Sequence, residues 1–304
     1  MAISRTQLVK ELEPGLNALF GLEYKRYENQ HAEIYVTESS DRAFEEEVML
    51  SGFANAQTKA EGSGVAFDSA QETYTARYTH DTIALAFAIT EEAIEDNLYD
   101  RISSRYTKAL ARSMSNAKQV KAVTPLIDGL PSTDSFDSGD GVSLFNTAHT
   151  TVSGTNVKNT LTTQADLNET SLAQSLIDIA AMTDERGLRI AARGVKMIVP
   201  SANQFTAERL MKSQGRTGTA DNDINAIGSM GMIPQGYRVN NYLTDSDAFY
   251  IITDVPNGMK MFQRAPLKTA MEGDFDTGNV RYKARERYSF GVSDYRGIFG
   301  VEGA

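Results

Sequence analysis

The chain contains no cysteine, which excludes disulfide bridges and thiolate chemistry. That absence fits synthesis in a reducing cytoplasm. There is also no run of roughly 18 apolar residues, so we expect no membrane-spanning helix. The N-terminal stretch MAISRTQLVK lacks the apolar core of a signal peptide.

Catalytic and metal-binding signatures are missing as well. The sequence has no GxSxG, Walker A, post-strand GxGxxG or HExxH motif. The acidic loop around Asp134, Asp137 and Asp140 does not match calcium-loop spacing, and Asp274 with Asp276 before Gly278 resembles a turn. We therefore expect no metal, no cofactor and no enzymatic activity.

One histidine keeps an enzymatic alternative open. The three histidines, His31, His80 and His149, are scattered along the chain. His149 lies in FNTAHTT beside hydroxyl side chains, where it could act as a base. A loop histidine near hydroxyls is commonplace, however, and the alternation around His80 predicts that this side chain packs in the core.

The balance of charges limits the partners. The 304 residues include 30 basic and 40 acidic side chains, for a net charge of −10. A dedicated DNA or RNA binder normally has a basic surface, so the charge disfavours this class of protein. The charge does not disfavour a protein that encloses nucleic acid without binding it tightly. An apolar content of 41% is enough for a core in one large or two moderate domains.

The longest helical pattern runs from about Thr90 to Ala122. Its apolar or small residues recur every three or four positions, at Ile94, Leu98, Ile102, Tyr106, Ala109, Leu110, Ser113, Ala117 and Val120. Thr90 is the predicted cap, and Pro125 the predicted stop. A helix of about 50 Å suits a structural beam, although an ordinary amphipathic helix has the same pattern. Its basic row, which includes Arg101 and Arg105, is better explained as a solvated face than as a DNA contact.

Residues 45–89 have the period-two pattern of β-strands. Tyr74, Ala76, Tyr78 and His80 share one face, and the phase changes near Asp81, which predicts a bulge or bend. Gly62 and Gly64 mark a turn or flexible tip. The stretch therefore predicts a long hairpin-like excursion that leads into the helix. Its distal part has too few large apolar residues to bury itself and needs another chain.

Flanking segments complete the predicted architecture. Residues 3–30 resemble an arm with helical pieces, interrupted at Pro14. Residues 166–256 predict an α/β or α+β unit. Its first helix is capped by Asn168 or Thr170 and ended by Gly187, and a strand follows over 195–199. A second helix runs from a Ser201 capping box to Met211, and a mobile loop covers 212–232. The remaining strands are predicted at 237–243, 248–252 and 258–264.

The tail VRYKARERYSFGVSDYRGIFG alternates between two faces. Arg281, Lys283, Arg285 and Arg287 share one face, and aromatic and apolar residues share the other. We expect a partner strand at Lys268–Met271, joined by an acidic turn. Because the chain is acidic overall, a neighbouring copy is a credible partner for the basic face.

The order of these parts resembles the major capsid protein of tailed phages, with its Hong Kong 97-like fold. It is most similar to the Mu-like major head subunit family. Five stretches in order carry the resemblance: AFAITEEAIEDNLYD, LFNTAHTTVSGTNVKN, MTDERGLRIAARGVKMIVPSANQFTAERLM, NDINAIG with SDAFYIITD, and the closing VRYKARERYSFGVSDYRGIFG.

The resemblance implies an α+β fold divided by region. Residues 1–44 would be an N-terminal arm, and residues 45–89 the extended hairpin called the E-loop, lying over an adjacent subunit. Residues 90–159 would form a peripheral domain with a spine helix over about 90–122. Residues 160–262 would be the axial domain, with 212–232 as its axial loop, and residues 263–304 would return to the peripheral domain.

It also implies a function: a self-assembling head protein that forms hexamers and pentamers in an icosahedral shell around double-stranded DNA. Such a protein is made in the host cytoplasm and resides in the virion, with a portal. Some family members carry scaffolding as a coiled-coil leader, so the start of this sequence implies a separate scaffolding protein or a removed leader. The alternatives are a tail-tube or decoration subunit, or an enzyme near His149.

The candidate inter-subunit contacts lie on the predicted hairpin, helix and closing strand. They are Lys59, Glu61, Tyr74, Tyr78, Arg101, Arg105, Arg281, Lys283, Arg285 and Arg287. Some family members cross-link a lysine to an asparagine of a neighbour, and Lys59 near the tip is a weak candidate for this role.

Overall fold

The computed structural model describes residues 5–90, 92, 99–215, 224–274 and 278–304. The helices are α1 Arg5–Arg26, α2 Tyr99–Asp128, α3 Glu169–Ala181, α4 Gln204–Lys212 and α5 Ala226–Met230. The strands are β1 Val36–Ser39, β2 Phe44–Leu50, β3 Glu72–Thr79, β4 Asp81–Ile89, β5 His149–Thr150, β6 Asn156–Val157, β7 Gly194–Pro200, β8 Tyr237–Asn240, β9 Phe249–Thr253, β10 Met259–Gly273, β11 Val280–Val292 and β12 Ile298–Val301. None of the described helices has the length and apolar content to cross a membrane.

Two four-stranded sheets organise these elements. The first has the order β1-β10-β11-β4, and the second has the order β12-β9-β7-β8. Two separate pairs, β2-β3 and β5-β6, complete the strand pairing. The β1-β10 and β7-β8 pairs are parallel, whereas the others are antiparallel. The predicted mixture of helices and sheets is confirmed.

Strand β11 lies at the centre of the first sheet and alternates as predicted. Tyr282 and Ala284 are buried, whereas Lys283 and Arg285 are exposed. The predicted partner Lys268–Met271 pairs with it, but as part of the longer strand β10. Register shifts interrupt the pairing near Pro266, since proline cannot donate to the ladder.

Helix α2 packs on the buried face of the first sheet, but with a different side from the one predicted. Of the predicted apolar residues, Leu110 is buried as expected, but Tyr106 is 53% exposed and Val120 is 46% exposed, whereas Met114, which is not in the predicted set, is buried. The apolar periodicity was misleading because small and polar side chains make up much of the buried side. These are Ser103, Thr107, Ala111, Ser115, Lys118, Gln119 and Ala122.

The ends of this helix also need correction. It continues through Pro125 to Asp128, so the proline is not the predicted stop. Most of the predicted first turns, residues 91 and 93–98, lie outside the described residues.

A buried ion pair ties α2 to β11. Lys118 Nζ lies 3.2 Å from Glu286 Oε2, and Tyr24 donates to Glu286 Oε1 at 3.1 Å. The lysine also lies 5.1 Å from the centre of the Tyr288 ring. The charge of Lys118 is therefore compensated inside the subunit.

Helix α1 is one helix and not the interrupted arm that the sequence predicted. It passes through Pro14, and its Leu16 and Phe20 pack against α2 and β11. Asn17 Oδ1 accepts hydrogen bonds from Thr269 at 2.7 Å and Tyr282 at 2.8 Å. Tertiary packing therefore outweighs the local helix-breaking preference of the Pro-Gly pair.

The second sheet is built around the α3-to-β9 region. Asn168 caps α3 as predicted, in a capping box with Ser171. The helix ends at Ala181 and not near Gly187, which occupies a later turn with φ +83°. The predicted Ser201 capping box is replaced by a 3-10 turn over Ser201–Asn203 before α4. The predicted loop over 212–232 contains the short helix α5.

The end of the chain departs from the predicted regional division. The short strand β12, which the sequence analysis missed, pairs with β9 in the second sheet. Tyr250 of β9, Leu126 of α2 and Phe299 of β12 belong to one buried cluster. The chain after residue 262 therefore contributes to both sheets.

The hairpin is shorter than the predicted 45–89 excursion. Strands β2 and β3 pair with each other, whereas β4 leaves the hairpin and pairs with β11 along its length. His80 lies between β3 and β4, at the position where the period-two phase changes. The predicted break near Asp81 is confirmed, and it separates two sheets.

We expect the folded subunit to lose stability between pH 7 and pH 5. Burial, and then the charge of Lys118, lowers the pKa of His31 to about 4. Below the unfolded pKa of about 6.5 the unfolded chain takes up a proton that the folded chain does not, so stability falls with pH. The expected loss is about 2 kcal/mol by urea denaturation.

The variant His31→Gln provides the control for this pH dependence. The variant is expected to lose less stability between pH 7 and pH 5, because the residue that titrates has been removed. His80, whose pKa burial and Arg287 also lower, contributes in the same direction. An unchanged pH dependence in the variant would contradict the assignment to His31.

Candidate inter-subunit surface

The distal part of the hairpin, residues 51–71, projects from the subunit almost without burial. From Phe53 to Gln71 every residue is exposed, and Phe67 is 99% exposed. Val65 is also exposed. Between the ends of this segment, Ser51 N–H donates to the Gln71 carbonyl at 2.9 Å. We call residues 51–71 the distal hairpin.

The base of the hairpin, in contrast, is fixed by a buried lysine. Lys260 Nζ of β10 lies 2.6 Å from Glu47 Oε1 of β2 and 3.2 Å from Glu38 Oε1 of β1. Burial works against the charge, but the two carboxylates outweigh it and raise the pKa of Lys260. One cation thus joins the hairpin to the first sheet.

Close packing also fixes β3 on the end of β11. A Cβ at Gly291 would come within 2.6 Å of the Tyr78 ring, so this position requires glycine. The Tyr78 hydroxyl lies 2.5 Å from Ser293 Oγ. At the corner, the His80 ring is held between Ser40 Oγ at 2.9 Å and Ser289 Oγ at 3.0 Å.

These contacts place the predicted hairpin residues in two groups. Tyr78 is buried against its own chain, and the Tyr74 hydroxyl donates to the Ser293 carbonyl at 3.4 Å. Tyr74 is half-buried, so the prediction of an inter-subunit contact is contradicted by burial at Tyr78 alone. Lys59 and Glu61 lie exposed at the tip, as predicted.

One side chain outside the hairpin reaches the distal hairpin. The Arg186 guanidinium donates to the Ser69 carbonyl at 2.5 Å and lies 3.7 Å from Asp68 Oδ1. Backbone N–H groups of Ala54 and Ser69, with Arg186, lower the pKa of Asp68. This contact is not visible in the sequence, since Arg186 and Ser69 are far apart in the chain.

The exposed side of the first sheet carries the predicted basic row. Arg281, Lys283 and Arg285 are exposed, whereas Arg287 is half-buried. Arg281 forms an ion pair with Asp274. In the β4 register, alanines lie opposite the three exposed cations, in the pairs Arg281–Ala88, Lys283–Ala86 and Arg285–Ala84.

The predicted basic row of α2 lies on the other side of the sheet. Arg105 is exposed, as are Lys108 and Arg112. The side chain of Arg101 lies outside the described residues. Helix α2 covers the apolar face of β11, so the α2 and β11 rows cannot meet the same partner surface.

The surroundings of His149 explain this histidine as a structural residue. Its ring is fully buried and stacks on Tyr295, with centroids 3.9 Å apart. Nδ1 lies 2.6 Å from Asp140 Oδ2, and Nε2 lies 3.1 Å from Asn159 Oδ1. Although burial opposes the effect, hydrogen bonds from His149 and Ser138 lower the pKa of Asp140. Both ring nitrogens are therefore engaged, and the ring has no solvent-facing side.

No metal site emerges in the described ranges. The His, Asp and Glu side chains resolved there include no group of three placed to hold an ion.

Comparisons with known proteins give one family match and several solved structures with a similar fold. A family model described as "Phage capsid protein" matches residues 72–301. Among solved structures, the chain resembles the procapsid of bacteriophage JBD30, with a TM-score of 0.55, 13% identity, and coverage of 99% of this chain and 77% of that chain. No curated protein matches the sequence.

Two further structures have the same fold. The subunit of Mycobacterium phage Patience gives a TM-score of 0.55 at 11% identity, over 99% of this chain and 89% of that chain. The capsid of Myoviridae phage XM1 gives a TM-score of 0.52 at 10% identity, over 89% of this chain and 90% of that chain. At such low identity the likeness concerns the fold.

Substituting Lys260→Met is expected to loosen the base of the hairpin. The methionine keeps the apolar stem but leaves Glu47 and Glu38 without their shared cation. Hydrogen exchange should show faster exchange of β2 and β3 amides, with β7 and β9 unchanged. Lys59→Met is the matched control, because that lysine is exposed at the tip. Equal exchange in both variants would contradict the role of Lys260.

Substituting His149→Ala is expected to destabilise the subunit by about 3–5 kcal/mol, because it leaves a cavity beside the Tyr295 ring and removes the hydrogen bond between the imidazole and Asp140. Urea denaturation measures this loss. In the double variant Asp140→Asn/His149→Ala the loss should be smaller than the sum of the single losses, since both substitutions disrupt the same contact. Strictly additive losses would show that the two side chains do not act as a pair.

Proposed function

The chain belongs to the phage capsid protein family, and from that premise we propose that its copies assemble into the icosahedral head of a tailed double-stranded DNA phage or prophage. The family match confirms the predicted capsid function. The proposal adds that this is the major subunit, arranged in hexamers and pentamers, and that it is a head subunit of the Mu-like type. The order of sequence segments described above supports the last point.

One observation carries the proposal: the distal hairpin exposes large apolar side chains that its own subunit does not cover. Phe53, Val65 and Phe67 are all more than half exposed. These side chains stabilise nothing while they face water, whereas burying them against another chain contributes about 1.5–3 kcal/mol each. The base of the same hairpin is rigidly fixed, which suits an arm held ready for a neighbour.

We assign roles to regions on this basis. Residues 1–44 form an N-terminal arm that contacts neighbours through surfaces not used by α1 packing. The E-loop is the β2-β3 part of 45–89, with the distal hairpin as its tip. The spine of the peripheral domain (90–159 with 263–304) is α2, and β7 to β9 belong to an axial domain over 160–262. Strand β12 is the exception, since it completes the axial sheet.

Partners follow from the same proposal. A separate scaffolding protein and a portal complete the head, and the shell encloses DNA without sequence-specific contacts. The net charge of −10 supports loose enclosure, because tight phosphate binding needs many cations. The subunit is made in the host cytoplasm and ends in the virion.

Exposed candidates for inter-subunit contact fall into three groups. The tip contributes Lys59 and Glu61, α2 contributes Arg105, and the sheet contributes the row at β11. Arg101 remains a proposal from sequence alone. Charges at rims of this kind steer association and fix register more than they add affinity.

Electron microscopy of the purified protein tests the proposal. We expect shells or capsomers from the unmodified chain. A variant in which residues 54–69 are replaced by a short Gly-Ser turn should remain folded but lose assembly, because its core contacts are intact and its apolar arm is gone. A protein that stays monomeric at all concentrations, or tubes with ring symmetry and no shells, would overturn the proposal.

A further inference from the structure

Charge is distributed unevenly over the exposed side of the first sheet, which faces away from α2. At one end Arg281 forms an ion pair with Asp274, and Glu272 lies directly opposite Arg281 in the pairing of β10 with β11. In the middle, by contrast, Lys268 lies directly opposite Arg285. Like charges in directly opposed positions destabilise a sheet, so the middle of this side is where an added negative charge stabilises it most.

Two further arginines lie one step closer to the hairpin. Arg287 follows Arg285 on the same side of β11 and pairs with Ala265 of β10. The register shifts between Gln263 and Ala265, so Arg264 is an extra residue on its strand. A bulge of this kind redirects a side chain and often lies beside a functional site. We call these four basic residues the cation cluster: Arg264, Lys268, Arg285 and Arg287.

The two arginines nearest the hairpin, Arg264 and Arg287, approach the same histidine. His80 lies on the exposed side of the sheet, where its Nδ1 is 3.0 Å from Ser289 Oγ. Burial, and then the charges of both arginines, lower the pKa of His80. Both side chains therefore lie on one side of the sheet and close to the same ring.

The cation cluster is not neutralised by its own subunit. Within the described ranges, none of its four members forms an ion pair or a side-chain hydrogen bond. The Nε donors of Arg264 and Arg287 are buried, and no acceptor in the described part of the chain contacts them. A buried donor without an acceptor destabilises a fold, and more so when it carries charge. Burial of these two donors therefore favours an anion that accepts from both.

The carboxylates near His80 are engaged by other groups. Burial lowers the pKa of His80, and Glu45 and Asp81 oppose that effect, which places both carboxylates near the ring. Glu45 accepts from Ser40 Oγ at 2.6 Å, and Asp81 Oδ2 lies 2.5 Å from Lys121 Nζ. An acceptor for the two arginines therefore has to come from outside the described residues.

Thr82 adds an uncharged donor beside the two arginines. It is exposed and pairs directly with Arg287, so both side chains lie on the same side of the sheet. Arg264 on β10, Arg287 on β11 and Thr82 on β4 thus line up across three neighbouring strands, about 4.8 Å apart. A guanidinium group presents paired N–H donors that match two oxygens of a phosphate, and a hydroxyl donates to a third. This row of donors suits a tetrahedral oxyanion.

We propose that Arg264, Arg287 and Thr82 form a binding site for a phosphate group, with Lys268 and Arg285 at its exposed rim. The group has two sources, a free phosphate ion and the backbone of a DNA duplex, which present the same oxygens. A net charge of −10 repels a long polyanion, so we expect the free ion to bind and the duplex not to compete with it. The bound phosphate then ties together three strands beside the base of the hairpin.

Calorimetric titration with sodium phosphate, at pH 7 and fixed ionic strength, tests the site. The unmodified chain should bind phosphate saturably, with sodium chloride as the blank. Arg264→Gln and Arg287→Gln should each weaken binding at least tenfold, because each removes a charged donor. The matched control is Arg209→Gln, since Arg209 is exposed on α4 away from the first sheet. Absence of saturable binding to the unmodified chain, or equal affinity in all variants, would overturn the proposal.

Thermal unfolding separates a ligand site from a purely structural role of Arg287. In low-salt buffer without phosphate, Arg287→Gln should raise the Tm, because it removes one charge from a cluster of like charges. Added phosphate should raise the Tm of the unmodified chain and of Arg209→Gln, but not that of Arg287→Gln. A Tm that falls by the same amount in both buffers would assign Arg287 to the fold and overturn the site.

A short DNA duplex distinguishes the two sources of phosphate. If the free ion is the ligand, the duplex leaves the phosphate titration unchanged. If the DNA backbone is the ligand, the duplex displaces phosphate, and the slope of log K against log salt falls by about 0.9 for each arginine removed. Either result supports a phosphate site and names its source. A duplex that binds the unmodified chain and Arg264→Gln/Arg287→Gln equally, without any phosphate binding, contradicts it.

These measurements are independent of the proposed shell, because they need only the folded chain. Failure of phosphate binding leaves the proposed function intact. Conversely, a chain that forms no particles in micrographs but binds phosphate through Arg264 and Arg287 refutes the proposed function and supports the site.

Discussion

The two-residue period of β11 is the constraint on which the rest of the subunit depends. One side of the strand must be buried, so Tyr282 and Glu286 receive α1 and α2. The other side must face water or a partner, so it carries the cations. Beyond Tyr288 in the same strand, Gly291 has no side chain, and the Tyr78 ring of the hairpin packs in the space this leaves. A single residue slip in β11 would exchange these roles everywhere at once.

Two charge pairs lie in the interior of the subunit, whereas the large apolar side chains of the distal hairpin lie uncovered on its surface. Lys118 with Glu286 and Arg296 with Glu185 are paired in the interior, at 3.2 Å and 2.9 Å. Breaking such pairs is costly, so they specify one geometry for the folded chain. The distal hairpin shows the opposite condition, with aromatic rings in water and few internal bonds. The interior is thus held by paired charges, and the distal hairpin is the region whose apolar side chains the subunit leaves uncovered.

Local patterns allowed much of this fold to be predicted, and long-range contacts account for what was missed. The alternation of β11, the Asn168 cap and the break near Asp81 all follow from neighbouring residues. The buried side of α2 does not, because Lys118 and Gln119 are buried only through partners distant in sequence. Strand β12 escaped notice since it is short and its Gly300 packs directly under Phe145.

The candidate surface was predictable only in part, for the same reason. The basic row on β11 is visible in the alternating sequence. Three other features depend on the tertiary arrangement. They are the packing of Tyr74 and Tyr78 on their own chain, the ion pairs of Lys260 with Glu47 and Glu38, and the contact of Arg186 with the hairpin. No pattern of apolar residues within one segment contains that information, and the capsid function itself was reached by resemblance.

Under the proposed function, the projecting hairpin also bears on genetics. A copy damaged only in its distal hairpin would keep its fold, because the buried clusters lie elsewhere. It would still be available to a growing shell, where it would leave one contact unmade. Such an allele would be dominant in a mixed infection, whereas an allele that fails to fold would simply be absent and recessive.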